Sequence, residues 1–399
     1  MLKLVKTITL FTSSVLICGS AIAADYDTGA TDKEIKFGVT VPLSGPASAY
    51  GSVGSCFEGY FNSVNDKGGI NGRMIKVLVQ DDGYSPAKTL EQTRRLVERE
   101  GVLFMAGGLG TPTNSAIHRY MNQRKVPQLF ITTGASKWDD PKNYPWTMPY
   151  LPSYAVEARI YAKHINNTMP KAKVGILFQN DDFGRDYKDA FVETLKDKSM
   201  VVSEVSYDVS GATIDSQMSK LKESGATVFF NISTPKFAAQ AIRRAGEIGW
   251  KPTQFLVSVA SAKSAVLEPA GLEYAKGIIS AQYLKAPSDP AFANDPDVKA
   301  WHEFKASHFP KGSDANWWDW SCYSAAATLK HVLSKAGDNL TRANIMSIAS
   351  NLNQHDAPML LPGIKVNTSS NDFAPIESMS LMRFENGNWK LFGDLISAD

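Results

Sequence analysis

The chain has 399 residues, and its 42 Lys and Arg against 40 Asp and Glu leave a formal net charge of only +2. So even a balance gives no electrostatic footprint for nucleic acid or for an anionic membrane surface. The six histidines are scattered, and the three cysteines form neither a CxxC nor a Cys/His cluster at zinc spacing, so no metal site is expected. Phosphate-loop, GxGxxG, GxSxG and HExxH patterns are missing as well, so neither an enzyme nor a cofactor is expected.

The first residues read as an export signal. Lys3 and Lys6 precede an apolar run over 8–18, and Ala21-Ile22-Ala23 gives a small-x-small cleavage pattern with a mature start near Ala24. The run is too short to span a bilayer, and Ile17 before Cys18 is not the small residue of a lipoprotein signal. Cleavage would leave about 375 residues, which suits two domains better than one core. It would also remove Lys3 and Lys6 from the 42 basic residues, leaving 40 against 40 acidic. Cys56 and Cys322 remain in an oxidising compartment, where they can pair; the sequence does not show whether they meet.

Short apolar runs then alternate with amphipathic ones. Residues 35–41 read as a strand, and 51–67 as a helix with Phe57, Tyr60, Phe61 and Val64 on one face, ended by Gly68-Gly69. Strands follow at 74–80, 102–106 and 127–131, with helices at 87–98 and 114–123. This alternation requires a parallel sheet with helices on both faces. A helix at 153–165 opens a second series, with strands at 174–178, 201–207, 227–230, 254–257 and 277–281. Its helices fall at 185–196, 214–222, 235–248 and 263–267. The proline-rich stretch 283–296 reads as a crossing, followed by helices at 298–307, 323–335 and 342–349. Strands at 379–384 and 389–392 flank Glu385-Asn386-Gly387, the turn chemistry of a hairpin. The expected fold class is α/β, with two similar doubly wound parallel-sheet lobes.

In open parallel sheets ligands bind beyond the carboxyl ends of the strands. The loop Pro42-Leu43-Ser44-Gly45-Pro46 leads to Tyr50-Gly51. The loop Gly107-Gly108-Leu109-Gly110-Thr111-Pro112-Thr113-Asn114 opens a helix, and both its glycines and the helix N-terminus favour an anion. Thr132-Thr133-Gly134-Ala135-Ser136 supplies further hydroxyls and amides. Together these loops suit one carboxylate, and the lack of a lysine within either loop until Lys137 argues against phosphate. The same residue types also cap helices without binding anything. From the second series, Phe183 offers an apolar face, and Trp317-Trp318-Asp319-Trp320 is an aromatic cluster that suits a core as well as a planar ligand.

Taken together the segments resemble a known family. They are Ile35-Lys36-Phe37-Gly38-Val39, Pro42 to Pro46, Tyr50-Gly51, Asp66-Lys67-Gly68-Gly69-Ile70-Asn71-Gly72, Asp81-Asp82, Gly107 to Asn114, Val126-Pro127 and Asn180 to Gly184. The chain resembles the periplasmic solute-binding proteins of ABC importers, of the branched-chain amino acid, amide and aromatic acid type. The resemblance implies a type I periplasmic-binding fold, with lobe 1 from 24–148 and 284–371 and lobe 2 from 149–283 and 372–399. Three hinge crossings are expected near Met148, Tyr283 and Asn371. It implies a ligand carboxylate at Leu109, Gly110, Thr111, Gly134, Ala135 and Ser136, flanked by Tyr50 and closed over by Phe183 and Trp318. It also implies a periplasmic monomer that meets an inner-membrane permease transiently and binds no nucleic acid; presenting the ligand to a separate sensor is a rival role.

One departure bears on the ligand. Leu/Ile/Val binders carry an acid for the ligand ammonium after the strand that falls here at 254–257; Val259 stands there, and Ser233 stands at a second-lobe tyrosine position. A buried unpaired ammonium is costly. The expected ligand is therefore a carboxylate without an α-ammonium, an aromatic acid of the hydroxycinnamate or benzoate kind, beside Phe183, Trp318 and Trp138. Asp181, Asp182 or Asp319 acting as the missing acid would restore a branched-chain amino acid.

Overall fold

The computed structural model describes residues 25–397, so the expected export signal and the start at Ala24 lie outside the described residues. Two sheets form the frame. The first runs Met74–Asp81, Glu34–Val41, Phe104–Ala106, Gln128–Ile131, Thr147–Pro149, every pair parallel. Its central strands are buried on both faces, as a parallel sheet with helices on each side demands. The last strand was not expected: three residues ending in Pro149 are too short to show a period, and proline is tolerated at a sheet edge.

The second sheet runs Val201–Tyr207, Val174–Gln179, Val228–Ile232, Thr253–Leu256, Ile279–Gln282 in parallel. Ser378–Glu385 and Asn388–Ser397 then add to its edge antiparallel. Asn386 (φ 53°) and Gly387 (φ 78°) both take the left-handed conformation between those strands, which is why the Asn-Gly pair makes so tight a hairpin.

Three helices begin three or more residues earlier than their periodicity suggests. Thr111–Arg124 starts three residues before 114 because Pro112 fits a first turn. Asp182–Thr194 starts before 185 because the Asp181 side chain caps it. Trp317–Ala336 starts before 323, which makes the tryptophan cluster helical. The helix expected at 87–98 is α-helical over Pro86–Arg94 and widens to a π turn at Arg95–Arg99.

The chain leaves the first sheet after Thr147–Pro149 and enters the second through the helix Tyr154–Thr168. It returns after Ile279–Gln282, and the helices Pro296–His308 and Trp317–Ala336 pack on Ser52–Asn65 beside the first sheet. It crosses again before Ser378–Glu385. Each crossing is fastened. The Tyr150 hydroxyl lies 2.8 Å from Ser324 and 3.1 Å from Thr328, that of Tyr283 2.7 Å from Ser321, and Phe373 N donates to Asp139 at 2.7 Å.

Helix Ser52–Asn65 buries Val53, Cys56, Phe57, Phe61 and Val64 on one stripe. Cys56 is disulfide-bonded to Cys322 of Trp317–Ala336, 266 residues away, with a Cα–Cα distance of 6.3 Å. A bridge over so long a loop restricts the unfolded chain strongly. The double variant Cys56→Ala, Cys322→Ala is expected to lose about 2–4 kcal/mol of stability, read as an earlier urea midpoint without reductant. An unchanged midpoint would show that the buried packing of the two helices suffices.

Candidate ligand-binding site

The carboxyl ends of the two sheets converge on a cleft. Segments following the strands of the first sheet bring Tyr50, Tyr84, Leu109, Gly110, Thr111, Thr132 and Leu151. Tyr154, Phe183, Thr234 and Val259 come from the other side, and Trp317 from the long helix.

The Gly107–Asn114 loop is held rigid from within. Asn114 Nδ2 donates to the carbonyls of Gly108 (2.9 Å) and Gly110 (2.7 Å), and Gln128 Nε2 donates to Asn114 Oδ1 at 2.7 Å. Gly110 sits at φ +96°, and a Cβ there would lie 2.4 Å from the Tyr84 ring, so only glycine lets Tyr84 cover the loop. The Gly110 amide donates to Thr132 O at 3.2 Å, which gives that glycine a shaping role and not an anion-binding one. Thr111 begins the helix, and its hydroxyl lies 2.7 Å from that of Thr133, with the Tyr154 hydroxyl also in hydrogen-bonding contact. A hydroxyl cluster at an uncapped helix N-terminus is suited to a carboxylate.

An aromatic wall faces it. The Phe183 ring meets Tyr154 edge-on at 5.4 Å, and Tyr154 stacks on Tyr187 at 4.5 Å. Asp181 Oδ1 accepts from Phe183 N (3.0 Å) and Gly184 N (3.3 Å), which fixes that ring at its helix start. The two sides are closed on each other. Tyr50 donates to Val259 O at 2.7 Å, Lys137 pairs with Asp182 at 2.8 Å, and Lys263 N donates to Ala315 O at 2.9 Å.

Of the residues expected from the sequence, Tyr50, Leu109, Gly110, Thr111, Phe183 and Val259 come together on the cleft. The others lie off this cleft. Ser136 gives both its amide (3.0 Å) and its hydroxyl (3.1 Å) to Asp186 Oδ2 across the closure, so it latches the two sides together instead of lining the cleft. Gly134 accepts from Tyr154 N at 2.7 Å behind the wall, and Ala135 is buried with its carbonyl on Trp138 N. Ser233 is fully buried beneath, beside Tyr207. Trp318 is fully buried, donates to Ser52 Oγ at 3.0 Å and supports Tyr50 edge-on at 4.8 Å, while its neighbour Trp317 faces the cleft. Trp138 is buried with its N–H on Thr133. Sequence reasoning missed Tyr84, Thr132, Leu151, Tyr154, Thr234 and Trp317; Thr132 and Trp317 stood inside segments it had singled out.

None of the candidate acids reaches the cleft. Asp181 caps its helix, Asp182 pairs with Lys137, and Asp319 accepts from Ser52 and from Ser313 N. Glu157 lies one layer deeper, accepting from Tyr161, Tyr187 and both the amide and hydroxyl of Ser258. Those four donors fill the acceptor sites of a carboxylate. Among the described residues no Asp, Glu, Lys or Arg lines the cleft.

A sequence pattern for periplasmic binding proteins matches residues 34–388 of this chain. The chain belongs to the periplasmic binding protein family. The Leu/Ile/Val-binding protein homolog 1 of Brucella abortus (strain 2308) is 22% identical over 331 residues, covering 81% of this chain and 85% of its own length. The branched chain amino acid ABC transporter structure from Thermus thermophilus with bound valine superposes with a TM-score of 0.80 at 16% identity, over 92% of this chain and 97% of that one. A fatty acid ABC transporter substrate-binding protein from Thermomonospora curvata gives 0.78 at 20% identity, over 94% and 95%. The fold is that of type I periplasmic binding proteins, and no helix among the described residues is long and apolar enough to cross a membrane.

Two buried carboxyls brace the cleft of this periplasmic binding protein. Asp82 accepts from Tyr84 N (2.9 Å) and Thr89 (3.1 Å) and holds Tyr84 at φ +59°; Asp319 orients Ser52, which in turn holds Trp318. Burial pushes each from its ordinary 3.8 up to about 6, against the hydrogen bonds that oppose it. Folded carboxyls that bind protons more tightly than unfolded ones stabilise the fold at low pH, and the contribution fades as pH rises from about 4 through about 6. Asp319→Asn is expected to flatten the fall in melting temperature between pH 4.5 and 7.5. A profile parallel to the parent would assign the slope to other groups. Lys137→Ala with Asp186→Ala removes two closing contacts and is expected to enlarge the ligand-free radius of gyration in solution scattering; an unchanged radius would show that these contacts do not hold the closed form.

Proposed function

We propose that this chain is the ligand-capturing component of an ABC importer, exported to the periplasm and working as a monomer. Its ligand is a small carboxylate without an α-ammonium, an aromatic acid of the benzoate or hydroxycinnamate kind. The observation that carries this reading is the cleft's chemistry: tyrosine, phenylalanine and tryptophan walls, hydroxyl donors at Thr111, and no charged side chain among the described lining residues. The carboxylate would lie at the Thr111 helix N-terminus, and the planar body between Tyr84, Tyr154, Phe183 and Trp317. In this reading capture and release are its task.

The two sheets would act as the jaws, lobe 1 from 24–148 with 284–371 and lobe 2 from 149–283 with 372–399, hinged near Met148, Tyr283 and Asn371. A ligand touching both sides binds the closed form better than the open one and shifts the population toward it. The closed shape is what a permease would recognise. The second reading is a branched-chain amino acid, favoured by the valine in the Thermus thermophilus structure and by the names of the Brucella relatives.

A thermal-shift panel of aromatic carboxylates and aliphatic amino acids separates the two, since a ligand of the native state raises the melting temperature by mass action. Stabilisation by aromatic acids, and none by leucine or valine, is the expected result. The reverse would overturn the ligand while leaving the family in place. In Thr111→Val the affinity for the stabilising acid should fall about tenfold or more, the value of one hydrogen bond to a charged group. Unchanged affinity by calorimetry would move the carboxylate elsewhere.

A further inference from the structure

A second cavity opens between the two sides next to the second crossing. Trp317 and Trp320 wall it from the long helix, Leu284 and Phe292 from the crossing segment, and Trp389 and Leu391 from the last strand. Of these only Trp317 also lines the cleft at Thr111.

Five of the eight tryptophans have an acceptor for the indole N–H. Trp138, Trp250, Trp301, Trp318 and Trp389 all donate their indole N–H, to Thr133, Ala226 O, Asp314, Ser52 and Ser261 O. Trp317 and Trp320 are each only 4% exposed, and among the described residues neither N–H has an acceptor. Both residues line the same cavity. A buried donor without an acceptor is unfavourable, and a water, an ion or a ligand can supply the missing acceptor. The acids at the cavity are already engaged: Asp289 accepts from Ala291 N, and Asp314 pairs with Lys305 and Trp301. Lys263, the cavity's cation, holds Asn388 only at 3.4 Å.

We propose that this cavity is a second binding site, for an aromatic carboxylate whose oxygens accept from Trp317 and Trp320 and whose charge meets Lys263. The aromatic walls take the ring. Because those walls come from both sides of the closure, occupancy favours the closed form, and the two sites couple positively. The assignment does not depend on what the Thr111 cleft binds.

The test is an indole N–H titration of the 15N-labelled full chain with 4-hydroxybenzoate, 1-naphthoate and indole-3-acetate. Trp317→Phe and Trp320→Phe assign the two signals. The Trp320 signal is expected to move downfield and saturate with at least one of these acids, and to do so also in Thr111→Val. By calorimetry Trp320→Phe should weaken that event about tenfold, and Lys263→Met, at a half-exposed position, several-fold. A Trp320 signal that stays still at saturation with all three acids overturns the site. So does one that moves only with the cleft's midpoint and stops moving in Thr111→Val, since it would then report closure alone.

Discussion

Two tyrosine hydroxyls fix where the halves of this protein meet. Tyr150 follows the last strand of the first sheet and Tyr283 the last parallel strand of the second, and both reach into one helix, Trp317–Ala336, at Ser324, Thr328 and Ser321. Burial pushes the Tyr150 hydroxyl up to about 12, so it stays a neutral donor at any working pH. A buried hydroxyl must find a partner, and these partners hold two crossings against the same helix. The disulfide then joins that helix to Ser52–Asn65. One side of the molecule is therefore a buried, covalently stapled frame. The opposite side closes through Tyr50 on Val259 and Ser136 on Asp186, hydrogen bonds that water can replace. In the proposed clamp, the crossings at this frame would serve as the pivot and the contacts at Tyr50 and Ser136 as the part that opens.

The helix that anchors the crossings also shapes both cavities. Trp317, Trp318 and Trp320 sit on its first turn, and successive residues on a helix point about 100° apart. Trp318 is thereby turned down onto Ser52 and Tyr50, while Trp317 and Trp320 share the other face and wall the second cavity. Glu157 has the corresponding part on the second side. It ties Tyr187, which carries the Tyr154 stack, to Ser258, which precedes Val259. The wall and the Val259 carbonyl that closes on Tyr50 thus rest on one buried carboxylate.

The alternation of strand and helix, the hairpin at Asn386-Gly387 and the strand-end loops were legible because periodicity and turn chemistry are local properties. The start of Thr111–Arg124 was hidden because threonine, proline and asparagine look alike in a loop and in a first turn. The choice of Trp318 over Trp317 turned on one residue of helical phase, which a sequence whose helix start is misplaced by six residues cannot carry. Ser136 was chosen for its hydroxyl, and nothing local reveals that Asp186, 50 residues on, takes it. Tyr84 depends on a left-handed backbone held by Asp82, which no pattern of residue types announces.

The proposed selectivity against an ammonium rests on acceptors as well as on the missing acid. The carbonyl of Val259 is taken by Tyr50, that of Leu109 by Thr113, and that of Gly110 by Asn114. The carbonyl of Thr132 receives the Gly110 amide. An ammonium brings three donors and needs acceptors for them, and these lining carbonyls already serve the fold. A carboxylate needs donors, and hydroxyls that can rotate toward it stand at Thr111 and Tyr154. The same loop that makes itself rigid by filling its own carbonyls thus leaves its helix N-terminus as the part still able to bind, and that part prefers an anion.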